Sequence, residues 1–424
     1  MAAYTKIELE NGLKVACLPM PNMESVSLGI WLNAGGRYEE ESLSGVSHFL
    51  EHLVFRGTKK RTARQIKESI EGIGGMLNAF TAEEMTCYFV KIPSRYLKLS
   101  LDVLSDMVLS ARLDSNDIEK ERTVILEEIK MYMDLPMHYV QELLSQLLWP
   151  KHPLGMFLCG TFETISTMKR EDIVSYRDRF YQPQHINVVA CGNLEKDKFL
   201  ELAKKIFSRI RRGAKINFKK AGLKQNGVQT NFTEKDTEQT HVALGVHGLP
   251  RGHRDRHALT LLHIILGANM SSRLFQEVRE KRGLAYEIGT HLKKFQDTGA
   301  FIVNAGVEHK KTSQAIQVII QELVKIKNKP VTQSEFKRAK EYFTGQFLLA
   351  LEETMEHMLW LGENVAMMDK VYTPSEVLRE LNRVNMDDLQ RVASSIFKTN
   401  GLNLALIGPI SDKDRKDIVE ALVL

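Results

Sequence analysis

Val46-Ser47-His48-Phe49-Leu50-Glu51-His52-Leu53-Val54-Phe55 has two unlike faces once wound into an α-helix. At about 100° per residue, Val46, Phe49, Leu50, Leu53 and Val54 share an apolar face. His48, Glu51, His52 and Phe55 fall on the other. The two histidines stand four residues apart, so they are neighbours on one surface and can reach one ion. Glu51 lies to one side of the pair, where a carboxylate takes a proton from a water and does not itself ligate. In a chain of this composition and length the H-x-x-E-H order arises by chance with a probability of only ~0.03. The bland alternative is a solvent-facing helix side that happens to hold two histidines.

Two histidines do not make a zinc site: a third protein ligand is needed, with water in the fourth position. A helix expected over residues 116–133 offers one. Ile118, Val124, Ile125 and Ile129 define its apolar side. Glu121 and Glu128 fall on or beside that side, about 20° apart on the wheel. Glu127 points away, near Lys120 and Thr123. A carboxylate in an apolar stripe is costly unless paired or metal-bound. Glu128 is therefore the expected third ligand, with Glu127 as the fallback if the helix is rotated. Glu121 is expected to hold a ligating histidine from behind, or else to form a plain ion pair on the helix.

Outward from this helix, strands alternate with helices. Strands are expected at 13–18, 25–34, 78–92 and 186–191, and helices at 44–56, 63–72, 96–110 and 116–133. A similar order recurs, with strands near 240–246 and 299–306 and helices at 257–266, 271–281, 311–325 and 334–352. The helix pair 96–107 and 114–131 matches 312–324 and 332–347 in order and spacing, which points to an internal duplication. The expected organisation is α+β: a first half over 1–210, a Lys/Arg-, Gly- and Asn-rich linker over 211–228, and a second half over 229–424. The alternative is one large α+β domain with coincidental spacing.

Composition narrows the field. The 424 residues are 43% hydrophobic and 26% charged, with a formal net charge of +5, an ordinary globular balance. Basic residues cluster only in short runs such as Lys59–Arg61 and Arg211–Arg212, so no nucleic-acid partner is expected. No apolar run reaches membrane-spanning length, and no membrane role is expected. The four cysteines, Cys17, Cys87, Cys159 and Cys191, are scattered in apolar settings. Buried free thiols in a reducing compartment are expected. The first residues lack a basic start followed by an apolar run. The expectation is a bacterial cytoplasm, or an organellar matrix if a targeting segment has been removed.

Further strings surround the histidine helix. They include Phe55-Arg56-Gly57-Thr58, Gly75-Met76-Leu77-Asn78-Ala79-Phe80-Thr81, Glu84-Met85-Thr86-Cys87-Tyr88 and Glu121-Arg122-Thr123-Val124-Ile125-Leu126-Glu127-Glu128. The second half adds Ser272-Arg273-Leu274-Phe275 and Arg282-Gly283-Leu284-Ala285-Tyr286. With these strings the chain resembles, over essentially its whole length, the pitrilysin/insulinase superfamily of inverted-motif zinc peptidases. Within it, the resemblance is to the branch of the mitochondrial processing peptidase β-subunit and its bacterial relatives.

The resemblance implies two homologous α+β halves with mixed or antiparallel sheets, only the first carrying metal. In the second, Leu262-His263-Ile264-Ile265-Leu266 stands at about the matching place. It implies one Zn2+ per chain held by His48, His52 and Glu128, with Glu51 as general base in the hydrolysis of short or unfolded peptides. It gives Arg282 and Tyr286 a role in stabilising the oxyanion. It makes Asn78, Ala79, Phe80 and Thr81 an edge against which an extended peptide pairs. Glu83 and Glu84 would bias that edge toward basic residues. Relatives of this length pair into a clam-shaped chamber, so a homodimer is expected, or a heterodimer with a related metal-free chain. The rival readings are a non-catalytic or partner-dependent subunit of the same fold and a peptide-binding, chaperone-like chamber.

Overall fold

The structure, a computed structural model, describes residues 4–214, 216–222, 225–368 and 370–424. Residues 215, 223 and 224 of the expected linker, and residues 1–3 of the expected first half, lie outside the described residues, as does residue 369. The chain folds into two compact α+β units whose makeup does not follow chain order. Unit 1 comprises Met1–Lys130, Met156–Lys219 and Leu348–Thr373, and unit 2 comprises Met131–Gly155, Lys220–Phe347 and Pro374–Leu424. The boundaries expected from the sequence, 1–210, 211–228 and 229–424, run in chain order and contain no such exchange.

Unit 1 is built on a six-stranded mixed sheet. Its strands are β1 (Thr5–Glu8), β2 (Lys14–Pro19), β3 (Ser25–Leu32), β4 (Met76–Thr81), β5 (Thr86–Pro93) and β6 (Ile186–Gly192). Their order is β1-β2-β6-β3-β5-β4. β2 and β6 run parallel and every other pair is antiparallel. The central strand β6 is buried along its whole length, as its run Val188-Val189-Ala190-Cys191 suits. The helices Val46–Val54 and Leu97–Ser110 pack on this sheet, as does Thr354–Met367, a helix taken from late in the chain.

Unit 2 repeats the plan with five strands: β7 (Gln229–Thr233), β8 (Thr240–His247), β9 (Ala285–Lys294), β10 (Gly299–Val307) and β11 (Asn403–Ile407). Their order is β7-β11-β8-β10-β9. β7 and β11 are parallel and the rest antiparallel. Strand for strand this is β2-β6-β3-β5-β4 again. The helix Pro136–Leu148, from the first part of the chain, packs on β8 and β11. Each sheet is therefore covered by a helix that lies in the other half of the sequence.

Several local expectations change. The single strand expected at 78–92 is a hairpin, β4 and β5. It breaks at Ala82–Met85 because the Ala82 and Glu83 carbonyls accept the Gly36 and Arg37 N–H groups. Glu84 turns inward to a buried ion pair with Arg37, 2.6 Å long. Glu84 is thus committed to the core and is not a solvated charge at a strand end. The helix expected at 271–281 carries a wide π-helical turn over Phe275–Glu280. Among the four free cysteines, Cys17, Cys87 and Cys191 are buried, whereas Cys159 is only half-buried. Val124, expected in the apolar stripe, is 46% exposed; Ile118, Glu121, Ile125 and Ile129 form the buried side of that helix. No helix among the described residues is long and apolar enough to cross a membrane.

Candidate active site

The motif helix, Val46–Val54, buries Val46, Phe49, Leu50, Leu53 and Val54, which leaves His48, Glu51 and His52 on its other side. Gly45 starts the helix with φ +92°. A Cβ there would meet the Cys159 carbonyl oxygen at 2.7 Å, so glycine is required both by conformation and by space. The first free N–H groups of the helix are taken by a side chain outside it. Glu39 Oε2 accepts from Gly45 N at 2.7 Å, and Oε1 accepts from Ser47 N at 2.8 Å. Burial pushes the Glu39 carboxyl up to about 7, against the opposing pull of these hydrogen bonds.

The glutamate helix, Ser115–Asp134, brings Glu128 to the histidines. Glu128 Oε2 lies 3.7 Å from Nε2 of His48 and 3.7 Å from Nε2 of His52. The ligand atoms of the three residues lie within 4.8 Å of one another. Tetrahedral zinc with bonds of about 2.0–2.1 Å spaces its ligand atoms by roughly 3.3 Å, so this donor set could close on such an ion with small side-chain movements. Burial, and then the neighbouring His52, push His48 down to about 3. Its ring is neutral near pH 7 and a nitrogen lone pair is available. His52 Nδ1 is 2.9 Å from Glu121 Oε2, which fixes the tautomer that offers Nε2. Glu121 is 3% exposed and its other oxygen pairs with Arg56. Glu127 points out and pairs with Lys130 at 2.6 Å.

Glu51 stands beside this cluster. Thr81, the last residue of β4, donates its hydroxyl to Glu51 Oε2 at 2.6 Å. Burial raises the Glu51 carboxyl above its ordinary range, with the Thr81 hydrogen bond and His52 opposing.

β4 is an edge strand, and its open side can be identified. Ala82 N–H bonds across the hairpin to Met85, whereas Ala79 N–H bonds to the Asn78 side-chain oxygen at 2.8 Å. Peptide groups alternate sides along a strand. Those of Leu77, Ala79 and Thr81 therefore face the open edge, and those of Asn78 and Phe80 face β5. Phe80 packs edge-on against Trp31, with ring centroids 5.6 Å apart.

Arg282 and Tyr286 belong to unit 2. Arg282 Nη1 bonds to the Glu277 carbonyl at 2.7 Å and to its carboxylate at 2.6 Å. Tyr286, the second residue of β9, is 75% exposed, with the Arg279 guanidinium over its ring. His263, on the helix Arg256–Gly267, bonds through Nδ1 to Thr290 at 2.7 Å. Sequence reasoning missed the Glu39 cap, the Arg56–Glu121 pair and the Thr81–Glu51 bond. All three join residues without a shared period, and none leaves a pattern in one sequence.

The chain is similar to known proteins over most of its length. A family described as Insulinase (Peptidase family M16) matches residues 14–161, and one described as Peptidase M16 inactive domain matches residues 167–343. An uncharacterized zinc protease of Bacillus subtilis (strain 168) is 36% identical, covering 94% of this chain and 97% of its own. One of Mycobacterium leprae is 35% identical, covering 97% and 93%. The crystal structure of a protease from Helicobacter pylori superposes with a TM-score of 0.90 at 26% identity, over 96% of this chain and 100% of that one. A peptidase M16 inactive domain from Pseudomonas fluorescens shares the fold, with a TM-score of 0.90 at 17% identity over 96% and 98%.

Proposed function

The chain belongs to the insulinase family, peptidase family M16, and from that premise we propose that it is a zinc-dependent endopeptidase acting on short or unfolded peptides. The observation that carries the reading is the meeting of His48, His52 and Glu128 within 4.8 Å, with the Glu51 carboxylate one turn of the same helix from His48.

Zinc held by these three residues would polarise the scissile carbonyl and acidify the attacking water. Glu51 takes the proton of that water and hands it to the leaving amine. Its partly desolvated site favours the first of these steps, because a carboxylate raised from its ordinary range is the stronger base. Glu121 keeps His52 oriented. The peptide lies extended along the open side of β4 and pairs with the backbone of Ala79 and Thr81. An unfolded or short substrate can do this, and a folded one cannot. The oxyanion donors assigned to Arg282 and Tyr286 rest on the sequence resemblance, to which the exposure of Tyr286 adds support. The chamber, and the homodimer or heterodimer that would form it, belong to the same reading.

Metal per chain, measured by elemental analysis for wild type, His52→Ala and Glu51→Gln, together with cleavage of a quenched peptide, tests the proposal. About one zinc per wild-type chain, lost with activity in His52→Ala but kept without activity in Glu51→Gln, is expected. A folded wild type that holds zinc yet cleaves nothing would overturn it and leave a peptide-binding role. Sizing the active fractions separates a homodimer from a chain that needs a partner.

A further inference from the structure

Among the described residues the Glu51 side chain forms one hydrogen bond, and its donor is the residue that ends the peptide-pairing edge. We propose that Thr81 is the positioning residue for the general base. By this contact the strand that receives the peptide also sets where the base stands. The inference rests on the peptidase reading above.

The hydroxyl meets Glu51 Oε2 at 2.6 Å, within the short range of charge-assisted hydrogen bonds. With Oε2 engaged, Oε1 is the oxygen left to take a proton. One contact therefore selects both the rotamer of the carboxylate and the oxygen that reacts. Threonine suits the task because branching at Cβ stiffens χ1, so the direction of the hydroxyl follows the backbone of β4.

That backbone is fixed on every other side. Thr81 pairs with Thr86 in β5. Beyond it, Ala82 N–H bonds to Met85 at 2.8 Å and Arg37 N–H to the Glu83 carbonyl at 2.6 Å. The Arg37–Glu84 ion pair lies buried beneath the turn. Before it, Phe80 is seated against Trp31 and Phe89. The hydroxyl thus projects from a backbone held by β5 on one side and by its neighbours before and after it.

The alternation along β4 ties the base to the peptide as well. The Thr81 side chain turns to Glu51 while its peptide group faces the open edge. A peptide bonded at that edge and a proton acceptor bonded at that hydroxyl are both referred to one residue. The distance from scissile bond to base is then set by Thr81 and does not vary with the freedom of a long glutamate side chain. Misplacement of a reacting group by about 1 Å costs up to about 100-fold in rate.

The test compares wild type, Thr81→Val and Thr81→Ser. Valine keeps the shape and the branch but has no donor; serine keeps the donor. For Thr81→Val we expect kcat to fall about 10–100-fold with KM, zinc per chain and melting temperature near wild type. Thr81→Ser should recover most of the loss. Fluorescence anisotropy of a labelled peptide on metal-stripped protein should give the same affinity for all three. Should the valine variant fail to fold, Thr81→Ala, which cannot overpack, takes its place. An unimpaired kcat without the hydroxyl would overturn the inference alone. So would a loss confined to KM or to peptide affinity, or a serine variant no better than valine. A zinc-loaded wild type without turnover would overturn the peptidase reading and this inference with it.

Discussion

Nδ1 of His52 is hydrogen-bonded to a carboxylate oxygen of Glu121 at 2.9 Å, while Nε2 of the same ring faces Glu128. The ring is held from behind with Nε2 turned toward Glu128, where a metal held by the cluster would meet it. Glu121→Ala frees the ring to rotate and leaves Arg56 without its partner. Zinc affinity should fall by about 10–100-fold, read by competition with a zinc chelator. Glu121→Gln, which still offers an oxygen to Nδ1–H, should fall less. Unchanged affinity in the alanine variant would reduce Glu121 to an ion pair with Arg56.

Gly45 couples the geometry of the motif helix to the loop Cys159–Gly160. Gly45→Ala places a Cβ 2.7 Å from a backbone oxygen at φ +92°. Backbone cannot step aside as a flexible side chain would, and the conformation is itself unfavourable. A loss of about 1–3 kcal/mol in unfolding free energy is expected, measured by urea denaturation of the metal-free protein. The Glu39 bonds to Gly45 and Ser47 should loosen with it. A stability equal to wild type would show that the loop gives way.

Arg273 and Glu335 form a bidentate ion pair at 2.7 and 3.0 Å. Glu335 also accepts from Thr332 N at 2.9 Å, capping the helix Gln333–Ala350. Burial raises the Glu335 carboxyl, but these bonds outweigh it and hold it down at about 2, against an ordinary 4.5. As pH falls below 4.5 the unfolded chain gains the proton first, and the folded chain gains it only near 2. The contribution of Glu335 is therefore complete above 4.5 and is lost as pH falls from 4.5 toward 2. The pair is partly exposed, so solvent screening leaves on the order of 1–2 kcal/mol. Glu335→Gln should lower stability by that amount at pH 7 and by less as pH falls through this window. Unfolding curves at several pH values check it; an equal deficit at every pH would contradict the assignment.

The parts of this molecule that a single sequence revealed are those governed by a period. The faces of the motif helix, and the burial of Glu121 beside the outward turn of Glu127, follow from 3.6 residues per turn. The helix pairs 96–107 with 114–131 and 312–324 with 332–347 were visible as matched order and spacing, whereas the repeat of strand order between the sheets was not. What escaped depends on contacts between residues far apart in the chain. Pro136–Leu148 and Thr354–Met367 are not among the helices expected from the sequence, and nothing in either says which sheet it covers. β1, β7, β9 and β11 were not foreseen: the first is a short edge strand, and β9 carries Tyr286, Glu287 and a lysine end in place of clean alternation. The hairpin within 78–92 was hidden because Glu83 and Glu84 read as surface residues, although Glu84 is buried by Arg37.

The exchange of helices makes a prediction at Gly362, in the middle of Thr354–Met367. A Cβ on Gly362 would overlap the Trp31 indole of β3, and one on Gly29 would meet the Met358 sulfur at 2.6 Å. Helix and sheet thus interlock, a glycine on each side receiving a large side chain from the other. In an isolated helix, glycine to alanine is worth about 1 kcal/mol in favour of alanine. At Gly362 the indole is 1% exposed and lies within overlap distance of an added Cβ, so overpacking should outweigh propensity. Gly362→Ala is expected to destabilise the protein by about 1–3 kcal/mol. Trp31→Phe removes the ring that is in the way, and in that background the same substitution should cost little or become stabilising. The non-additivity between the two positions, measured by a double-mutant cycle of unfolding free energies, reports their contact directly. Additive effects would mean that the helix does not seat on β3 at this point.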